Sequence, residues 1–274
     1  MKDAATLTAN LPAERRGLPR AACVWLFAIV AGGLWTSVFS VPAQGIPMQA
    51  PTWQHWLGTD LLGRDFGWRL LAGGVHTLMV AAGAVCISIV VGGMWGLVAG
   101  LAGGWTDRLL NRMMDVALSV PALILALVIL AALGPGELSV VIAVGAGGAA
   151  TFARLVRAET VQIRNREYFL ASRALAADGV RMARSHLLPN IAGPLAAYAS
   201  LHFGWALVNA ASLTFLGFGG SPSAAEWGRM LNEARLVFWE APGQAAAPAF
   251  ALAASVLAIQ QIGQWAMSKD RLQG

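Results

Sequence analysis

The sequence predicts an all-α integral membrane protein with six transmembrane helices. Hydrophobic residues make up 57% of the 274 residues and charged residues only 12%, whereas soluble domains carry about 25% charged residues. A soluble chain of this composition would expose large apolar patches and aggregate. The chain also contains 31 Gly and 11 Trp, which is typical of membrane helices, where small residues allow close packing and Trp lies at the interfaces.

Six apolar segments are long enough to cross the hydrocarbon core, which takes about 20 helical residues. The predicted spans are 21–40, 75–101, 114–133, 138–156, 191–213 and 244–267. Val41-Pro42-Ala43 after the first span faintly resembles a signal-peptidase site. The apolar run before it is longer than the core of a signal peptide, so we interpret it as a retained transmembrane helix.

The distribution of Lys and Arg predicts the orientation of these spans. With the N-terminus inside, 15 of the 19 basic residues lie on the cytoplasmic side, and only Arg64, Arg69, Arg229 and Arg235 lie outside. Both termini are therefore expected in the cytoplasm. The predicted division is an N-terminal tail at 1–20, a first helix at 21–40, an outer loop at 41–74, a five-helix core at 75–267 and a tail at 268–274. Within the core, an inner loop covers 157–190 and an outer loop covers 216–243.

A polar segment, Arg164–Asn190, interrupts the apolar pattern and is called the basic segment below. Seven of the 19 Lys and Arg residues lie between Arg154 and Arg184. Residues 168–177 are rich in helix formers, and Asp178-Gly179 ends the pattern. A short helix with a small, partly apolar face suits docking into a groove of a cytosolic protein. The alternative is a helix on the inner leaflet whose arginines bind anionic lipid.

A ridge of Gly92, Gly96, Gly100 and Gly104 repeats every four residues along the second span. Such a ridge lets another helix backbone approach closely, so we expect a specific packing contact without knowing the partner helix. The two cysteines, Cys23 and Cys86, lie in apolar runs and are expected to be buried as small hydrophobic residues.

No catalytic motif occurs in the chain. The phosphate-binding pattern Gly-x-x-x-x-Gly-Lys-Ser/Thr is absent, as are Gly-x-Ser-x-Gly and His-Glu-x-x-His. We therefore expect neither an enzyme nor a bound cofactor or metal in this chain, and the charge pattern gives no reason to expect nucleic acid. A stand-alone channel or secondary transporter, and an intramembrane enzyme, stay open as alternatives, although no internal repeat is evident.

Several short motifs, in order and at the expected spacing over roughly 55–261, resemble a known family. They are His55-Trp56-Leu57-Gly58-Thr59-Asp60-Leu61-Leu62-Gly63-Arg64-Asp65, Gly103-Gly104-Trp105-Thr106-Asp107, Arg112-Met113-Met114-Asp115, Phe215-Leu216-Gly217-Phe218-Gly219 and Glu226-Trp227-Gly228-Arg229-Met230-Leu231. The chain resembles the inner-membrane permease subunit of binding-protein-dependent ABC importers, in the dipeptide, oligopeptide and nickel branch.

The basic segment resembles the coupling loop of that family, whose pattern is Glu-Ala-Ala, three residues, Gly, and nine residues to a Leu-Pro ending. Here Leu170-Ala171-Ser172 stands in place of Glu-Ala-Ala and Ala176 in place of Gly, and His186-Leu187-Leu188-Pro189 closes the loop. The resemblance implies ATPase coupling by the following residues: Glu167, Tyr168, Ala171, Ser172, Leu175, Ala176, Asp178, Gly179, His186 and Pro189.

The resemblance further implies a type I ABC importer permease fold in a bacterial inner membrane. It implies a homologous second permease, two ATPase subunits that bind ATP and Mg, and a periplasmic solute-binding protein. The expected solute is a peptide, nickel, another metal chelate or a glutathione-like compound.

Two further sets of residues are predicted to meet the solute or its carrier. Polar residues inside a span are functional candidates, which predicts that one face of the fifth span lines the translocation path: His202, Asn209 and Ser212. The alternative is a structural role, in which these groups hydrogen-bond to backbone carbonyls or to a neighbouring helix. In the outer loops, charges alternate with aromatic residues at Asp60, Arg64, Asp65, Trp227 and Arg229. These are predicted to contact the binding protein, with local loop structure, such as a pair of Asp65 with Arg64 or Arg69, as the alternative.

Overall fold

The computed structural model describes residues 19–38, 45–167, 169, 185, 187–220 and 224–270. Within these ranges the regular structure is helical, apart from an isolated β-bridge between Thr59 and Asp65. The α-helices are α1 (Arg20–Val38), α2 (Phe66–Ile87), α3 (Gly93–Ala102), α4 (Gly104–Ser119), α5 (Ala122–Leu133), α6 (Glu137–Arg164), α7 (Leu188–Phe215), α8 (Trp227–Ala234) and α9 (Pro242–Asp270). A π-helical turn at Ser88–Gly92 joins α2 to α3.

Among the described residues, four helical segments are long and apolar enough to cross a membrane, against six spans predicted for the whole chain. They are Phe66–Ala102, Glu137–Arg164, Leu188–Phe215 and Pro242–Ala266. Helices α4 and α5 make a fifth span if they cross together, and the apolar stretch of α1 is shorter than a full span. The prediction of an all-helical membrane protein is therefore confirmed, whereas the number six stays a prediction.

The third predicted span, 114–133, is not one continuous helix. Helix α4 ends at Ser119, α5 begins at Ala122, and the two are bent by 90°. Pro121 causes the break, because its ring disfavours the helical conformation of the preceding residue. Val120 is accordingly extended, with φ −92° and ψ 127°.

Two other spans extend further than predicted. Helix α2 begins at Phe66, not near residue 75, because the Asp65 carboxylate accepts a hydrogen bond from the Trp68 backbone N–H at 2.7 Å and caps the helix. Helix α6 continues to Arg164, not 156. Its 28 residues span about 42 Å, which exceeds the thickness of the hydrocarbon core, about 30 Å.

The glycine ridge packs against α6. A methyl group at Gly92 would collide with the Ala149 carbonyl oxygen, one at Gly96 with the Ala153 carbonyl oxygen, and one at Gly100 would lie 2.6 Å from the Thr160 side chain. The contact therefore moves along α6 in the same direction as along the ridge, by four residues from Ala149 to Ala153 and by seven from Ala153 to Thr160. Gly104 is the exception, since a methyl group placed on it would have no neighbouring atom within 4 Å.

The expected burial of the cysteines is wrong for Cys86, which is exposed, while Cys23 is partly exposed. Side chains that face hydrocarbon need no cover from the chain itself, so an apolar sequence environment does not distinguish a lipid-facing position from a protein core.

Candidate functional site

At the end that the sequence predicts to face the periplasm, a charged network joins the loop before α2 to helix α8. Arg69 Nη1 donates to Asp60 Oδ2 at 2.5 Å and to Glu233 Oε2 at 2.7 Å. Arg64 Nε donates to the same Asp60 oxygen at 2.7 Å. Asp60 and Arg69 are both buried. The network therefore fixes segments that lie 164 positions apart in the sequence.

The pKa of Asp60 lies below its ordinary value. Burial acts to raise the pKa, but the hydrogen bonds from Arg64 and from the Leu62 backbone, together with the charge of Arg69, outweigh it. These contacts favour the ionised carboxylate.

The residues predicted to contact a binding protein are mostly engaged within this outer cap, which comprises residues 45–65 and α8. Asp65 pairs with His55 (Nδ1 to Oδ2, 2.7 Å), not with Arg64 or Arg69. Arg229 Nη2 donates to the Gly220 carbonyl oxygen at 2.8 Å. Trp227 has no exposed surface, and its Nε1 donates to the Leu70 carbonyl oxygen. A direct contact of Trp227 with another protein would require the cap to open.

A cavity of about 340 Å³ lies where the break at Pro121 meets α6 and α7. Its walls are formed by the following residues: Ala117, Leu118, Val120, Pro121, Ala122, Gly147, Thr151, Tyr198, Leu201, His202 and Trp205. Of these wall residues from the described part of the chain, His202 alone carries an acidic or basic side chain. The sequence prediction missed the break and the flanking aromatics as components of this site.

His202 is the one predicted path residue that lines the cavity. Asn209 Nδ2 donates to the Trp205 carbonyl oxygen at 2.8 Å, and Ser212 Oγ donates to the Val208 carbonyl oxygen at 2.8 Å. Both polar groups are thus satisfied within α7. They share a helix face with His202, but the cavity does not extend that far along the helix.

The His202 ring belongs to an aromatic stack on α7. It lies between Tyr198, at a centroid distance of 5.8 Å, and Trp205, at 4.9 Å, with interplanar angles of 16° and 14°. Its Nε2 has no hydrogen-bond partner although it is buried. A methyl group at Gly148 of α6 would collide with this nitrogen. His202 therefore offers an unpaired imidazole nitrogen in a closely packed environment.

The two ends of the basic segment are anchored in one apolar cluster, at the end that the sequence predicts to face the cytoplasm. Phe169 and Leu187 are buried there with Phe152, Val156 and Ile163 of α6 and Ile191 of α7. Glu167 and Pro189 are exposed, and Pro189 lies in the first turn of α7, as Pro prefers. The other predicted coupling residues lie outside the described residues: Tyr168, Ala171, Ser172, Leu175, Ala176, Asp178, Gly179 and His186.

Acidic residues of α4 neutralise two of the nearby arginines. Arg157 binds Asp107 through two hydrogen bonds of 2.5 and 2.8 Å, and Arg154 Nη2 lies 2.5 Å from Asp115 Oδ1. Arg164 donates to the Gly100 carbonyl oxygen at 2.9 Å. Three of the seven arginines between Arg154 and Arg184 therefore make contacts that hold α3, α4 and α6 together.

Among the described residues, no group of three or more His, Cys, Asp or Glu side chains is placed to hold a metal ion.

Comparisons with known proteins identify the family. The model of the binding-protein-dependent transport system inner membrane component matches residues 92–267. The dipeptide transport system permease protein DppC of Alkalihalophilus pseudofirmus is 36% identical over 87% of this chain and 78% of its own length. The glutathione transport system permease protein GsiD of Pectobacterium atrosepticum is 37% identical over 78% of this chain and 71% of its own length.

Solved structures show the same fold. An inward-facing MetNI methionine ABC transporter chain superposes with a TM-score of 0.62 at 20% identity, over 72% of this chain and 94% of the other. A chain of an amino acid ABC transporter gives a TM-score of 0.58 at 18% identity, over 73% and 92%. The chain therefore belongs to the family of binding-protein-dependent transport system inner membrane components, the membrane permeases of ABC importers.

Proposed function

We propose that this chain is a permease subunit of an ATP-driven importer for peptides or glutathione-like compounds. It pairs with a second permease, receives its solute from a periplasmic binding protein, and is coupled to two separate ATPase subunits through the basic segment. The peptide class is supported by its relatives, which are named as dipeptide and glutathione permeases.

The observation that carries the coupling proposal is the burial of Phe169 and Leu187 in the same cluster. These residues flank most of the basic segment, and they pack against both α6 and α7. A displacement of the segment by a moving ATPase is therefore transmitted to both helices, because a packed core has discrete arrangements and does not deform continuously.

The cavity is the proposed passage for the solute within this subunit. It is bordered by α7, whose first turn forms the end of the basic segment, and by the α4–α5 break. A mostly neutral wall suits a solute such as a peptide, whose opposite charges leave little net charge. The second permease would supply the facing wall.

The relatives' names favour peptides over nickel, the other solute expected from the sequence. The Nε2 atom of His202 on α7 faces Gly148 of α6 at close range. The His202 ring is therefore better placed to set the shape of the passage than to bind a metal.

The test is co-purification of the tagged chain with its ATPases from membranes in which the whole transporter is produced. Ala171→Glu and Ala176→Glu place a charge in the segment proposed to dock. Ala158→Glu is the matched control, because Ala158 is exposed on α6 before this segment. We expect the control to retain the ATPases and the other two variants to lose them. Equal recovery from all three would contradict the coupling proposal.

The solute class is tested separately with proteoliposomes that contain the transporter and its binding protein. A dipeptide or glutathione should stimulate ATP hydrolysis, and nickel should not. Stimulation by nickel alone would overturn the peptide assignment and leave the coupling result intact.

A further inference from the structure

Helix α4 has one face fixed to the rest of the protein. Met114 is fully buried in a cluster with Ala99 and Ala153. Asp107 and Asp115, about two turns apart along the helix, pair with Arg157 and Arg154 of α6. The rotation of α4 about its own axis is therefore set by one contact near its beginning, at Asp107, and by two adjacent contacts in its second half, at Met114 and Asp115.

The opposite face of α4 is an exposed apolar stripe. Trp105, Leu109, Met113 and Val116 are 72, 45, 52 and 64% exposed. Their spacing of four, four and three residues keeps them on one side of the helix. An apolar stripe of this kind needs either a protein or a lipid partner.

Two arginines lie along one edge of the stripe. Arg108 and Arg112 are exposed, and no acidic partner holds either of them within the described part of the chain. Arg154 and Arg157 nearby do have such partners. The exposed face of α4 thus combines apolar side chains with uncompensated positive charge, the pattern of a helix that lies in a membrane interface.

The inclination of α4 fits an interfacial position. It is bent by 90° from α5. Asp107 and Asp115 are about 12 Å apart along α4, whereas their partners Arg157 and Arg154 are only about 4.5 Å apart along α6. Because α6 is long and apolar enough to cross the membrane, distance along α6 measures depth in the bilayer. Depth therefore changes by only about 4.5 Å over about 12 Å of α4. Half-exposed charges at Asp115 and Arg154 also require a polar surrounding at this depth.

We propose that α4 lies obliquely in the interface of the inner leaflet and binds anionic phospholipid. The stripe enters the acyl region, and Arg108 and Arg112 bind headgroup phosphates. The cytoplasmic leaflet is the one that carries negative surface charge, and the excess of Lys and Arg places this end of the molecule inside. Lipid is favoured over a protein partner because it satisfies both the apolar stripe and the two arginines.

The first test measures depth. The assembled transporter, with Cys23 and Cys86 replaced by Ser, carries a nitroxide at position 105, 109 or 113, and its collisions with oxygen and with a water-soluble nickel complex are compared in nanodiscs. We expect all three labels to be accessible to oxygen at depths within about 5 Å of one another. A depth difference of about 12 Å between 105 and 113, as for an upright helix, overturns the proposal. Labels shielded from both reagents also overturn it, because a protein then covers the stripe.

The second test measures lipid. Phosphatidylglycerol is titrated into the delipidated transporter, and bound lipids are counted by native mass spectrometry, with phosphatidylcholine as the neutral reference. Arg108→Gln and Arg112→Gln should each weaken phosphatidylglycerol binding about fivefold, while the exposed outer-side variant Arg235→Gln should leave it unchanged. Equal binding by all variants would rule out the two arginines as the headgroup site.

Discussion

Gly96 of α3 lies so close to α6 that any side chain there would collide with the carbonyl oxygen of Ala153. It would also place a carbon 2.7 Å from Cβ of Val156. Gly93 lies about one turn earlier on the same helix, and a methyl group placed on it would have no neighbouring atom within 4 Å. These two glycines therefore form a matched pair for measuring how tightly the two helices pack.

Gly96→Ala should destabilise the protein by about 1–3 kcal/mol, the usual cost of overpacking. Gly93→Ala should be neutral or stabilising by up to about 1 kcal/mol, because Ala favours the helix. Thermal unfolding of the purified complex in detergent measures both. Similar shifts in Tm for the two variants would show that α3 and α6 separate easily.

Arg69→Met should destabilise the outer cap by about 3 kcal/mol, since it leaves the buried Asp60 carboxylate with fewer partners. Arg64 still compensates part of that charge. The double variant Asp60→Asn with Arg69→Met should be more stable than Arg69→Met alone, because it no longer buries an uncompensated charge. Arg235→Gln, at an exposed position, is the control, and a loss as large as that of Arg69→Met would point to a general charge effect.

Asp60 should make the cap sensitive to acid. Its pKa is lowered in the folded protein, so its stabilising contribution is complete above the unfolded pKa of about 4 and is lost as pH falls through the folded value. The difference in Tm between the wild type and Asp60→Asn should be constant from pH 8 to pH 5 and shrink below pH 4. A difference that changes between pH 6 and pH 8 would assign the effect to another group.

His202→Ala should alter uptake and leave assembly intact, because it removes the middle ring of the stack beside the cavity. Aromatic pairs of this kind contribute about 0.5–1.5 kcal/mol, which corresponds to a change in uptake rate between about twofold and tenfold. Asn209→Ala is the control on the same helix face, away from the cavity walls. Uptake of a labelled dipeptide into proteoliposomes measures both, and an unchanged rate for His202→Ala would leave the ring a packing role only.

The features that were predicted correctly from the sequence depend on local composition and on the spacing of residues along a helix. Apolar runs identified the long helices, and a four-residue repeat identified the contact face of Gly92, Gly96 and Gly100. The identity of the partner helix could not follow, because a spacing of glycines describes one surface only.

The features that sequence reasoning missed depend on contacts between distant segments. Nothing near Arg69 in the chain indicates that Glu233 will be its partner. Hydropathy treated residues on both sides of Pro121 as one span because it averages over a break of two residues. Asn209 has the right helical phase for the cavity, but the length of the cavity along α7 depends on where α4 and α5 separate.

The burial of Phe169 and Leu187 in one cluster separates the packing of α6 and α7 from the sequence that lies between these two residues. The sequence between them, which we propose binds the ATPases, is attached at these two points, and neither point is part of the proposed docking surface. Such a segment can diverge, or be exchanged between related permeases, while the helices on either side keep their packing. Leu170 and Ala176, which depart from the family pattern, lie in the sequence between these two points. Changes there could alter which ATPase is bound while the helices that border the proposed passage stay the same.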